Sequence, residues 1–119
     1  MKELLENIEQ HGKRIAEYTR SINYLRDSLA IIEAKHQLAI VEAKNEETGK
    51  PLYSNDTARA GALKLRLEDN ETYQIKLSNL RDLEHERECL RAEIESMRGL
   101  FRLSLLDKEE AITAGRVTA

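Results

Sequence analysis

Three histidines and one cysteine are the side chains best suited to holding a metal or attacking a substrate: His11, His36, His85 and Cys89. A zinc site needs three or four ligands converging on one point. These histidines lie far apart in the chain, and the nearby glutamates sit at ordinary helix-surface positions. The run HERE at 85–88 superficially matches a zincin motif, but its His spacing is wrong. Cys89 would need a neighbouring base and an electropositive pocket to act as a nucleophile. It stands beside Leu90 and reads as a small flank residue or a surface thiol. Gly49-Lys50 shares two letters with a phosphate-binding loop, whose amides must converge on phosphate oxygens. The earlier Gly is absent, and Pro51 stands where Ser or Thr is required. Carboxylates are plentiful, but a two-layer helical rod offers no concave pocket for paired acid–base work. No catalytic, cofactor-binding or metal-ligating residue is assigned, and no enzyme is expected.

The element that would position these residues is a long helix. Leu4, Ile8, His11, Ile15, Tyr18, Ile22, Leu25, Leu29, Ile32, His36, Ala39 and Ala43 follow one another at alternating spacings of four and three. A 3.5-residue repeat held this long predicts a helix paired with another along its length. The first helix is expected over 2–46, ended by Asn45, Gly49 and Pro51. Ser54 or Asn55 caps a second helix over 55–68. Gly61 either weakens that helix by ~1 kcal/mol relative to Ala or permits a close crossing of helices.

Asp69 is the expected cap of a third helix over 70–108, with one uninterrupted helix from 55 to 108 as the alternative. Its stripe reads Tyr73, Lys76, Leu80, Leu83, Arg87, Leu90, Ile94, Met97, Phe101 and Ser104. Lys76 and Arg87 cover apolar surface with their stems while their charges reach solvent or a cross-helix carboxylate. Antiparallel pairing sets Leu4 and Ile8 near Met97 and Ile94, and Tyr18 or Ile22 near Leu83 and Leu80. His85 then falls opposite residues 15–18, within reach of His11. The fold expected is all-α: an antiparallel two-helix coiled-coil hairpin with a short third helix near the turn. Residues 1–108 form one elongated domain, and residues 109–119 a mobile tail.

Composition agrees with that class. Of 119 residues, 40% are hydrophobic and 34% charged, with one Phe and no Trp, as an aliphatic seam requires. The formal net charge is −3, and the two signs are interspersed, which disfavours a nonspecific grip on DNA or membranes. A single cysteine excludes an intrachain disulfide and fits a reducing compartment. The opening MKELLENIEQHGKR has no continuous apolar core, so it reads as neither a secretory signal nor a membrane span. The expected location is the cytoplasm, that of a host cell included.

Two apolar groups exceed what a two-stranded seam needs. Ile31, Leu38, Ile40 and Val41 widen the first helix, so a third element or a second subunit is expected to cover them, the second helix being the candidate. Leu100, Phe101, Leu103, Leu105 and Leu106 point all round the third helix and offer a surface to a dimer mate or a larger partner. Arg91, Arg98 and Arg102 fall on related faces and could follow a phosphate backbone. Glu84 sits three residues from Arg81, and Glu88 and Glu95 three or four from Arg91 and Arg98, where intrahelical ion pairs form instead.

The run KPLYSNDTARAGALKLRLEDNETYQIKLSNLRDLEHERECLRAEIESMRGLFR resembles a group of small, uncharacterised helical proteins of bacteria and their phages or mobile elements. The features that carry the resemblance are Ser54-Asn55, Arg59, the acidic break ending at Glu71, Tyr73 and Phe101. Asn70 stands where that group has Pro, which leaves the boundary between the second and third helices open. The resemblance implies a companion of phage or mobile-element DNA metabolism and assigns no residue a task. The function expected is a non-enzymatic protein–protein adaptor or structural element, self-associating as a homo-oligomer (a dimer) or bound to a larger protein. The alternative is a DNA-binding accessory of recombination or replication.

Overall fold

The computed structural model describes residues 2–118, with side chains described through residue 113. Three helices follow in order: α1 (Lys2–Glu42), α2 (Asp56–Asp69) and α3 (Glu71–Thr118). The protein is all-α, a helical hairpin in which α1 and α3 run antiparallel and α2 is the short helix after the turn. Every member of the two heptad stripes is buried or half-buried. The repeat therefore does select the paired face, because only that face escapes water along both helices. Among the described residues the buried hydrophobic side chains are Ile22, Leu29, Ile40, Tyr73, Leu80, Leu90 and Ile94.

Two compact units divide the chain. In the unit Ser21–Leu83, α1 ends at Glu42 rather than at residue 46. The backbone there leaves the helix to form an antiparallel bridge between Lys44 and Pro51. Asn45 N–H donates to Lys50 O at 2.9 Å, and Leu52 N–H to Ala43 O at 2.9 Å. Gly49 turns the loop at φ +67°, a left-handed conformation that Gly adopts without a Cβ clash.

Asn55 is the N-cap of α2, its side chain accepting from Ala58 N–H at 2.8 Å. Asn70 ends α2 and starts α3 at φ −84°, ψ 103°. Its N–H donates to Leu67 O at 3.2 Å, and its side-chain oxygen accepts from Tyr73 N–H at 2.8 Å. The cap expected at Asp69 is thus one residue later, and no continuous helix joins 55 to 108. An extended residue whose amide side chain satisfies the next turn breaks the helix there.

The expected cover of residues 31–43 by α2 is realised only at one end. Gln37, Ile40 and Val41 share a hollow of 360 Å³ with Arg59, Ala60 and Leu63 of α2. Ile31 and Leu38 stay exposed. Gly61 permits no close crossing: a Cβ built on it meets nothing within 4 Å.

The second unit joins Met1–Arg20 to Glu84–Ala119 around Leu90 and Ile94. Ile94 shares a hollow with Gly12 and Ile15, so it sits about a turn from the expected partner Ile8. The helix expected to stop at Lys108 runs on to Thr118. Lys108, Glu109, Glu110 and Ala111 are strong helix formers, and no Pro follows them. Of the tail expected at 109–119, the last residue lies outside the described residues.

Candidate functional site

Polar residues placed in an apolar seam need partners, and these find them across the helix pair. In the unit Ser21–Leu83, the Tyr73 hydroxyl donates to Glu33 Oε1 at 2.6 Å, and Asn70 Nδ2 meets His36 Nε2 at 3.0 Å. Lys76 Nζ donates to the Ser28 hydroxyl. The hydrogen bond to Glu33, with burial and the Glu33 charge behind it, pushes the Tyr73 phenol up to about 12. In the other unit, His11 Nε2 pairs with Glu93 Oε2 at 2.6 Å, and Arg87 Nη1 donates to Thr19 Oγ1 at 3.3 Å. Lys76 and Arg87, expected to reach solvent or a cross-helix carboxylate, meet hydroxyls across the seam. Arg87 Nε is buried with no hydrogen-bond partner.

The residues with catalytic or metal chemistry do not converge. His11 is engaged by Glu93, while His85 Nε2 lies 3.7 Å from Cys89 Sγ one turn along the same helix. His11 and His85 thus take separate partners. His85 and Cys89 line a hollow of 420 Å³ with Arg14, Tyr18, Glu86, Leu90 and Glu93. Arg14 Nη2 donates to the Tyr18 hydroxyl at 3.3 Å, which raises the guanidinium pKa above its usual value. Among the described residues, no group of three or more His, Cys, Asp and Glu side chains is placed to hold a metal ion. At Gly49-Lys50 the loop amides are already engaged. Those of Glu47 and Thr48 donate to Asn45 Oδ1, and that of Lys50 to Thr48 Oγ1.

The arginines singled out for nucleic acid have acidic neighbours. Arg91 pairs with Glu88 at 2.7 Å and Arg98 with Glu95 at 3.4 Å, while Arg102 is exposed. Arg91 and Arg98 line a hollow of 480 Å³ with Glu95, Gly12, Ile15 and Ile94.

The apolar residues singled out for partners separate into two groups. Leu100, Leu103, Leu105 and Leu106 are exposed, while Phe101 is half-buried in the seam. On α1, Ile40 is buried, and Ile31, Leu38 and Val41 are more than half exposed. Sequence reasoning offered cross-helix partners for Lys76 and Arg87 but did not anticipate those of His11, His36 and Tyr73. The signal available was the presence of His11, His36, Lys76 and Arg87 at seam positions, each of which needs a partner opposite. Among the described residues no helix is long and apolar enough to cross a membrane. Comparison with known proteins finds no matching family model, no matching curated protein and no matching solved structure.

Proposed function

We propose that this chain is a non-enzymatic coiled-coil module, a protein–protein adaptor or structural element that works by self-association. The observation that carries this reading is the exposure of Leu100, Leu103, Leu105 and Leu106 on α3, beside a seam that is already occupied. Leu100, Leu103 and Leu106 follow one another at spacings of three and share one face of α3, a patch of the kind that marks interaction sites. The mixed charge of the remaining surface and the reducing-type cysteine content suit a cytoplasmic setting. Truncation after Gly99, with molar mass followed by light scattering, tests it. Loss of the oligomer is expected, and an unchanged oligomer removes this segment from the role.

A DNA-binding accessory of recombination or replication is the second reading. Arg91 and Arg98 flank one hollow, and the resemblance to phage and mobile-element proteins points the same way. It predicts DNA affinity that falls steeply from low to physiological salt and is lost when Arg91, Arg98 and Arg102 are neutralised. Absence of binding at low salt dismisses it.

A further inference from the structure

We propose that His36 is a proton-operated latch: neutral, it holds the corner between α2 and α3 against α1, and on taking up a proton it lets that corner go.

The protonation state follows from which atoms face each other. The Asn70 side chain has one oxygen and one NH2 group. Its oxygen is committed, since it accepts from Tyr73 N–H at 2.8 Å as the cap of α3. A backbone N–H only donates, so the amide cannot be turned the other way round. The NH2 group is therefore what meets His36 Nε2 at 3.0 Å. An NH2 group donates and has no lone pair to offer, so Nε2 accepts. That leaves the ring neutral, with its proton on Nδ1. A second proton falls on Nε2. Two donors then face each other across 3.0 Å, and the bond becomes a repulsion.

The neighbouring titratable groups turn that repulsion into a release. Glu33 stands three residues before His36 on α1, where side chains of one helix meet. Its carboxylate draws a charged ring along its own helix and away from Asn70. Tyr73 of α3 donates to Glu33 Oε1 at 2.6 Å and, with its phenol pushed up to about 12, keeps that proton throughout the acid range. Lys76, further along α3, is taken up by the Ser28 hydroxyl. Lys35 on α1, Arg66, Glu68 and Asp69 at the end of α2, and Glu71 at the start of α3 are exposed, so water and salt screen them.

Asn70 ends α2 and caps α3, so its bond to His36 ties both helices to α1. Acid thus loosens the corner, while the Tyr73–Glu33 bond keeps the long helices paired beside it.

NMR on the full chain, labelled with 15N, tests this. Long-range proton–nitrogen correlations should place the His36 proton on Nδ1 at neutral pH. As pH falls through the titration of the His36 ring, followed by its own resonances, exchange protection of the Tyr73 amide should drop roughly fivefold or more, the weight of one hydrogen bond. His36→Gln supplies an acceptor oxygen that does not titrate, and its protection should stay flat over the same range. Asn70→Asp still caps α3 but offers an oxygen to a charged ring, so its protection should rise where the native chain's falls. A His36 proton on Nε2 at neutral pH overturns the latch. So does a Tyr73 amide unmoved by the titration, an equal drop in His36→Gln, or a drop rather than a rise in Asn70→Asp.

Discussion

The Tyr73 hydroxyl donates to Glu33 Oε1 at 2.6 Å, joining the first turn of α3 to α1 by a charge-assisted hydrogen bond across the seam. That bond needs the phenol proton. The Tyr73 pKa is raised from 10.0 to about 12 in the folded chain, so the stabilisation is complete below pH 10 and is lost as pH rises toward 12. The loss is on the order of 2 kcal/mol. Absorbance at the tyrosinate band should show one phenol titrating near pH 12 that disappears in Tyr73→Phe. The variant should also lose the steep fall in stability over that window. A wild-type titration with no such late phenol would refute the assignment.

Arg87 contributes a stem to the seam and a guanidinium whose Nε is buried without a partner. Its cross-helix bond to Thr19, at 3.3 Å, is long. Replacing it by a side chain of similar length and no polar atoms removes the uncompensated group. Arg87→Met is expected to raise stability by about 1 kcal/mol, read as a higher urea midpoint with an unchanged slope. A lower midpoint would show that the Thr19 bond outweighs the unpaired N–H.

Asn70 satisfies three groups at once: Leu67 O, Tyr73 N–H and the ring nitrogen of His36. Asn70→Ala removes the last two. Loss of a cap costs about 1 kcal/mol and the part-buried cross-helix bond about as much again. Chemical denaturation should show a deficit of about 2 kcal/mol. Asn70→Asp should recover the cap but not the donor to His36, and so fall between.

Gly61 lies in the middle of α2 with open space where a Cβ would stand. Its helix bears the entropic cost of glycine with no packing return. Gly61→Ala should therefore stabilise by about 0.5–1 kcal/mol in thermal or urea unfolding. A destabilisation would mean that α2 packs against something at that position.

The seam itself was legible in the amino-acid order, down to individual positions. All twelve α1 stripe residues and all ten of α3 are removed from full exposure. Register was not legible to the same degree. A heptad row looks nearly the same to its partner after a slide of seven residues, so by apolar spacing Ile94 matches Ile15 about as well as Ile8. Specific pairs such as His11–Glu93 break that degeneracy, and they follow from side-chain reach rather than from apolar spacing. The cap of α3 was missed by a single residue because Asp69 and Asn70 are both good caps, and only the backbone angles choose between them. The extra apolar residues on α1 were visible, but their cover was not. A helix of 14 residues entering at Asp56 reaches Ile40 and Val41 and leaves Ile31 and Leu38 in water.

The cross-helix bonds also set an order of assembly. Asn70 and His36 are 34 residues apart in the chain, Tyr73 and Glu33 40, Arg87 and Thr19 68, and Glu93 and His11 82. Closing the widest of these loops directly costs about 0.8 kcal/mol more than closing the narrowest, whereas each closure made after an inner one adds only a short increment. The hairpin is therefore expected to zip from its turn, so that a nascent chain joins Glu33 to Tyr73 while the later part of α3 is still being synthesised. Pulsed hydrogen exchange during refolding should then protect the amides around Leu29 and Leu80 before those around Ile15 and Ile94.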